Sequence, residues 1–411
     1  MTVSFALSPE QQRLKEGARA FARGVLAPLM EEVRAERDPL TRALLMKPAV
    51  EAAVAAGMLR GLIPEPFGGT ASNGVDAAIF IEEIAAESPD FFITMAGPLI
   101  ALAPVYEAGT PEQIERFVSP FLASEGAPVA AMAFSEPAGS ANFGAPAPAD
   151  GVLTTAVPDG DEWVVNGRKA WSSLLPGWDG DGPDLMTIVC RTPGGVSLVV
   201  AERAQLAGRI EVEEYYDLPG LKGCMTCRVR LRDVRVPRSH LIGDEGDGVR
   251  LTLNAFMASG ASIGTFATAA ARKAWEVAYE FASTQRRGGA TPIIDHQAVS
   301  DALADAKGRI EAMRLLGWRA LDAVIARDAA AGELALHSKV FGSETGLAVV
   351  NDLVKVVGVT AYDERFPLVR HLADALAYPI IEGSNTGVRR RQLHGIMTAE
   401  GFDPLTASGL A

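Results

Sequence analysis

Cysteine is nearly absent from this 411-residue chain, which has three, Cys190, Cys224 and Cys227. So few exclude a disulfide scaffold and fit a reduced compartment. Cys224 and Cys227 form a CxxC in KGCMTCRVRL, but no second ligand pair accompanies it and the flanking residues alternate like a strand. They read as small residues beginning a strand, not as a redox pair or half a zinc site, and no metal is expected. Basic charge is also short: 38 Lys and Arg stand against 51 Asp and Glu, a net charge of −13. Without a Lys/Arg block interleaved with aromatics, nucleic acid is not an expected partner. The opening MTVSFALSPEQQRLKEG has no basic segment followed by an apolar one, so no signal peptide is expected and a cytoplasmic location is. Long hydrophobic runs are missing too. The most apolar window, residues 91–105, is short and holds two prolines, which argues against a membrane span.

What is present is an ordinary globular balance, 48% hydrophobic and 22% charged. The length calls for two or three domains. Composition changes character twice, dividing the chain at 1–126, 127–244 and 245–411. The first part is Ala-rich with helical period. Ser8 followed by Gln11 is a capping-box pattern, and Thr110-Pro111 opens another helix. The middle part turns to period two in short strands, with Asn166-Gly167 read as a hairpin turn, which suggests a small barrel or sandwich. The last part returns to long helices. Residues 249–284 are apolar almost all round, as a helix inside a bundle would be, and Leu303, Ala306, Ile310, Met313, Gly317, Ala320 and Val324 recur at three and four.

Three stretches could carry chemistry. AFSEPAGSANFG offers Ser135 and Ser140 in a Gly/Pro loop, suited to a phosphate or a polar ring edge, or merely a turn. KAWSS puts Trp171 and Ser173 on one strand face, either to cover a planar cofactor or to fill the core. In TQRRGGATPIIDHQ, Arg286 and Arg287 are phosphate partners or solvated helix-end charges. A fourth, YPIIEGSNTGVRRRQL, sets one carboxylate, Glu382, in an apolar turn ahead of three arginines.

Taken in order, FALSPEQQRLKEGARAFAR, IPEPFGG, GTPEQIERFVSPFLASEG, FSEPAGS, DEWVVNGRKAWSS, LPGLKGCMTCRVRLRDVRVPRSHLIGDEGDG and IIEGSN resemble the acyl-CoA dehydrogenase family across residues 3–393. That resemblance implies an α+β multidomain fold: an N-terminal all-α domain, a middle β-barrel and a C-terminal four-helix bundle. It also implies FAD between barrel and bundle, with the adenine end at a subunit interface of a homodimer or homotetramer. Glu382 falls at the family's catalytic base, which takes the α-proton of an acyl thioester while hydride passes to the flavin. Its backbone N–H would polarise the thioester carbonyl, and Ile380 and Ile381 would help exclude water. Ser135 and Ser140 match residues that bind isoalloxazine and pyrophosphate, Trp171 the aromatic packed on the flavin, and Ser173 the hydroxyl near its N5. Arg286 matches an arginine that meets the diphosphate across the interface, with Gln297 at the family spacing after it. Ser384 follows the base-loop glycine where the family has Thr, and Arg389 ends that motif. Arg390 and Arg391 are left as solvated charges.

Departures bear on the substrate. Ile381 stands for a usual Tyr, Ala141-Asn142 for an Asp, and Gly289 for a Phe. Lys355 and Gly358-Val359 replace the Gln and Gly-Gly that receive adenine, and Met257 and Gly260 replace an Asp and an Arg on the CoA side. The implied reaction is α,β-dehydrogenation of an acyl thioester on CoA or a carrier protein, with electron-transfer flavoprotein or O2 as acceptor. The alternatives are a flavin oxidase or monooxygenase acting on another substrate with O2, and a flavin-binding protein with little turnover.

Overall fold

The computed structural model describes residues 6–146 and 148–408, so the outermost ends of the first and last expected domains lie outside the described residues. Helix α1 (Pro9–Phe21) starts where the sequence signals it. The Ser8 hydroxyl accepts from the Gln11 N–H at 3.2 Å and the Gln11 side chain accepts from the Ser8 N–H at 3.0 Å, satisfying two orphan donors. Thr110 and Gln113 repeat the box ahead of Pro111–Val118. Helices α2 (Gly74–Ala85) and α3 (Gly97–Ala108) carry the N-terminal domain onto the C-terminal one. A Cβ at Gly74 would lie 2.1 Å from the Asp322 nitrogen, so a glycine is required at this contact. Nearby, Glu82 and Glu83 are buried and paired with Arg314 at 2.9 Å and Arg19 at 2.9 Å.

The middle region is one sheet of eight strands: β1 (Ala130–Ala133), β2 (Thr155–Asp159), β3 (Glu162–Ser173), β4 (Leu185–Thr192), β5 (Gly195–Glu202), β6 (Ile210–Tyr215), β7 (Thr226–Pro237) and β8 (Leu241–Ile242). They run in the order β6-β7-β3-β2-β4-β5-β8, with β1 parallel to β4. No ladder joins β6 to β8 among the described residues, yet the sheet curls around one interior. Trp163, Val165, Ile188, Val199, Val229 and Val236, from four strands, meet in a single cluster. Cys227 lies in this interior and Cys224 just before β7, both buried and unpaired.

The expected hairpin at Asn166-Gly167 is not there. The turn is Gly160-Asp161, where Asp159 pairs with Glu162 and Gly160 takes φ 59° at the first central position. Asn166-Gly167 instead runs through the inside of β3, and the bulge lies opposite on β7, where Arg232 and Asp233 face the single Asn166 and Asp233 takes φ 48°. Asn166 exchanges two hydrogen bonds with Asp233, 2.9 and 3.0 Å, and a Cβ at Gly167 would meet Thr154 Oγ1 at 2.4 Å. Neither Asn166 nor Gly167 takes a positive φ; the left-handed residue is Asp233 on β7, so the Asn-Gly signal marked neither a reversal nor a left-handed pair.

The bundle of the C-terminal domain is four helices, α4 (Gly248–Thr284), α5 (Gln297–Ile325), α6 (Ser343–Val357) and α7 (Pro367–Ala377), with the shorter helices Ala331–His337 and Arg390–Met397 beside it. Helix α4 has 37 residues, about 55 Å of rise, and is apolar around its circumference because α5, α6, α7 and the N-terminal helices all pack on it. On α5 the buried face is Leu303, Ala306, Ile310, Met313, Gly317 and Ala320, as the period predicts; Val324 is half-buried against a cavity. Two stretches, Pro89–Ala108 and Ala331–Tyr362, are long and apolar enough by composition to cross a bilayer; here 50% and 33% of them are buried in the fold.

Candidate active site

Where the three regions meet lies a cavity of about 1640 Å³, large enough for a dinucleotide cofactor together with a small substrate. Its apolar end is built by Ile81, Phe92, Ile93, Leu99 and Ile100, and its polar wall by Ser135, Ser140, Trp171, Ser173, Ser259 and Glu382.

Glu382 sits in the loop after α7. Its φ is 51° and that of Gly383 is 79°, two successive left-handed residues that turn the carboxylate toward α4. A non-glycine residue in this region costs about 1–2 kcal/mol, so the surroundings must hold it. Arg389, 1% exposed, does so: Nε donates to the Glu382 carbonyl at 2.9 Å, Nη2 to the same oxygen and to the Phe256 carbonyl, and Nη1 to Gln392. The guanidinium lies across α4 at Gly260, where an added Cβ would be 3.6 Å from Nη2.

The Glu382 carboxylate accepts a 2.5 Å hydrogen bond from the Ser259 hydroxyl on α4. Burial raises the carboxyl above its ordinary 4.5, while Ser259, Arg389 and Lys339 pull the other way without cancelling it. The residue is half-buried by area because one side of it faces the cavity, and protein surrounds it beyond. The Glu382 N–H makes no hydrogen bond among the described residues. Ser259 was not among the expected site residues. Its only signal is a small-residue run, MASGASIG, in an otherwise apolar helix.

Trp171 does not alternate with Ser173 as a regular strand would have it. The register of β3 against β7 shifts between Ala170 and Ser172, leaving Trp171 as an unpaired bulge residue with φ 64°. The bulge swings the indole into the cleft, 57% exposed, where it stacks on Tyr216 at 4.1 Å and 11°. Ser172 and Ser173 line the same wall. Ser135 and Ser140 face each other, their hydroxyl oxygens 3.1 Å apart. Their loop is anchored beneath by Glu136 and Lys169, both buried and 2.9 Å apart; Glu136 also accepts the Leu153 and Thr154 N–H groups. Two adjacent hydroxyls beside a bared indole suit the polar edge and face of a flavin ring, so this wall fits FAD.

Ser384 lines the cavity, with its hydroxyl capping the next turn at Gly387 N, 3.4 Å away. Arg286, Gln297, Lys355 and Gly358 are not on the cavity wall. They gather at the far end of the bundle, where Arg287 ties its loop to the Val357 carbonyl and Thr360. There Lys355 pairs with Asp352 at 2.9 Å, Gln297 bonds Asp301, Arg286 bonds the Ala290 carbonyl, and Gly358 takes φ 74°.

Two expectations need correction. Ile380 lines the cavity but is 66% exposed, whereas Ile381 beside it is half-buried, so Ile381 is the better shielded of the two. Arg390 and Arg391 are not simply solvated. Arg390 pairs with Glu344 at 2.6 Å, and Arg391 bonds Asn142 and the Ala141 carbonyl, lashing the base loop to the Ser135–Ser140 loop.

Residues 8–125 match the family described as acyl-CoA dehydrogenase, N-terminal domain, and residues 246–395 that described as acyl-CoA dehydrogenase, C-terminal domain. A nitroalkane oxidase of Podospora anserina is 36% identical over 426 residues, covering 98% of each chain. The human mitochondrial short-chain specific acyl-CoA dehydrogenase is 27% identical over 93% of this chain and 89% of its own. A solved nitroalkane oxidase, an active-site Asp-to-Asn variant crystallised with 1-nitrooctane, superposes with TM-score 0.93 at 33% identity, covering 99% of both chains. In such structures the active-site aspartate precedes a functionally studied arginine by seven residues and follows an active-site serine by 126. Here Glu382 precedes Arg389 by seven and follows Ser259 by 123.

Proposed function

The chain belongs to the acyl-CoA dehydrogenase family, and on that premise we propose that it is an oxidase of small carbon acids, nitroalkanes foremost, in which Glu382 takes the α-proton. It is a flavin oxidoreductase whose cofactor is FAD. The observation that carries the reading is the Ser259–Glu382–Arg389 constellation, whose spacing parallels the active-site residues of solved nitroalkane oxidases.

A nitro group acidifies its α-carbon far more than a thioester does, so one carboxylate of raised basicity suffices as general base. Arg389 fixes the backbone that aims Glu382, and Ser259 holds one oxygen, leaving the other for the α-proton. The free Glu382 N–H supplies a donor to a substrate oxygen as charge develops there. The apolar end, from Ile81 to Ile100, takes an alkyl chain and keeps the carboxylate poorly hydrated. Bound FAD supplies the electron acceptor, which O2 regenerates. The balance is nitroalkane plus O2 plus water giving aldehyde, nitrous acid and hydrogen peroxide.

The cations also argue against CoA. Arg389 and Arg391 are committed to protein oxygens, leaving Arg327 as the cavity-wall cation without a side-chain partner among the described residues. One observation favours a second reading, α,β-dehydrogenation of an acyl thioester: the base is a glutamate, as the dehydrogenase pattern has it, where the solved nitroalkane oxidases have aspartate. By the family pattern, Arg286, Gln297, Lys355 and Gly358 serve the adenine end of a neighbouring subunit's cofactor in a homo-oligomer, with Ser135, Ser140, Trp171, Ser173 and Ser384 around the flavin. Oxygen uptake and nitrite release with 1-nitrohexane, set beside anaerobic bleaching by an acyl-CoA panel, test the assignment. Bleaching by a thioester with no response to nitroalkanes would hand the site to the second reading.

A further inference from the structure

Lys339 is fully buried, and no role in the site has been given to it. It lies in Ser338–Gly342, a π-helical turn just before α6, a local irregularity that often marks functional positions. Its ammonium reaches both ends of the Glu382 loop. At one end it donates to the Tyr378 carbonyl, at the other to Asn385 Oδ1 at 3.0 Å. Asn385, 1% exposed, closes the loop by donating its N–H to the Pro379 carbonyl at 2.9 Å, and its side-chain NH2 bonds Ser343 and Glu344. The loop's ends are thus stapled to a neighbouring helix, while Arg389 holds its middle.

We propose that Lys339 is a positioning residue for the base: by pinning both ends of residues 378–385 it sets the direction and the proton affinity of the Glu382 carboxylate. The inference deepens the carbon-acid reading above and rests on it for the role of Glu382. Charge supports the geometry. Burial and the Arg389 cation push the Lys339 ammonium down to about 7, while Glu382 and Glu344 oppose that push; Arg390 in turn neutralises Glu344. Lys339 and Arg389 both favour ionised Glu382, so removing the lysine raises the carboxyl's proton affinity.

The test reads the carboxyl without any substrate. Infrared titration of the FAD-loaded protein, wild type minus Glu382→Gln, isolates the Glu382 carbonyl band and its midpoint. In Lys339→Met that midpoint is expected to rise by about 1 pH unit, the scale of losing one neighbouring opposite charge. FAD content should be unchanged. An unmoved midpoint overturns the proposal even if the variant melts earlier, since a merely structural lysine would lower stability alone. If Lys339→Met yields no folded holoprotein, Asn385→Ser, which frees one end of the staple and keeps the amine, is titrated instead. A smaller upward shift supports the proposal and an unmoved midpoint overturns it. Failure here leaves nitroalkane turnover intact, whereas failure of the oxidase reading leaves this titration unaffected.

Discussion

Replacing Ser259 by alanine removes the hydroxyl that bonds Glu382, together with its longer 3.4 Å contact to the Ala255 carbonyl. The bond to Glu382 is an O–H to carboxylate contact of 2.5 Å at the wall of a largely apolar cavity. Hydrogen bonds to charged groups contribute about 1.5–3 kcal/mol, and one pKa unit corresponds to about 1.4 kcal/mol. The Glu382 carboxyl, already above 4.5 through burial, should therefore climb about 1–2 units further in Ser259→Ala. The sign for activity follows from the role. A base works as carboxylate, so kcat/KM falls as pH drops through the Glu382 pKa. The assay is the pH profile of kcat/KM for 1-nitrohexane by oxygen uptake. The acid limb should move upward by about 1–2 units, with the rate in the old acid range falling about 10- to 100-fold. A limb that stays put or moves down would refute the claim that Ser259 tunes the base.

Other perturbations probe other links. Arg389→Lys cannot serve the Glu382 carbonyl, the Phe256 carbonyl and Gln392 at once, and each buried acceptor left unpaired costs about 1–3 kcal/mol. Thermal unfolding should shift down by several degrees and kcat should fall; an unchanged melt would contradict the clamp. Gly74→Ala drives a Cβ into the α5 backbone, an overpacking cost of about 1–3 kcal/mol. It should lower the urea midpoint while the folded fraction keeps full activity per bound FAD. For Lys339, the folded pKa of about 7 lies below its ordinary 10.5. Between these values the unfolded chain holds the extra proton, so its contribution to stability grows with rising pH and is lost as pH falls toward 7. Wild type minus Lys339→Met stability, from urea midpoints, should therefore increase from pH 7 to pH 9.

Much of this was readable from residue order. The capping boxes at Ser8 and Thr110 depend on side chains three apart, and the α5 face depends on period, so local sequence determines both. Glu382 stood out because a lone acid among isoleucines and glycine has few structural uses. The failures were of another kind. Whether Asn166-Gly167 reverses the chain or stays inside a strand depends on Asp233, 67 residues away. Ser259 meets Glu382 across 123 residues, and Arg391 meets Asn142 across 249. Such pairings arise only when α4, the Ser135 loop and the base loop are brought to one cavity. The choice of substrate was least legible, since the same carboxylate can serve a thioester or a nitroalkane.

The most direct test of the central claim, that Glu382 removes the α-proton, is anaerobic stopped-flow bleaching of the FAD by 1-nitrohexane and by its preformed nitronate anion, in wild type and Glu382→Gln. The account predicts a primary isotope effect with α-deuterated nitrohexane in wild type, loss of reaction with the neutral compound in the variant, and retained reaction with the nitronate, which needs no base. Equal bleaching of both proteins by neutral 1-nitrohexane would contradict it.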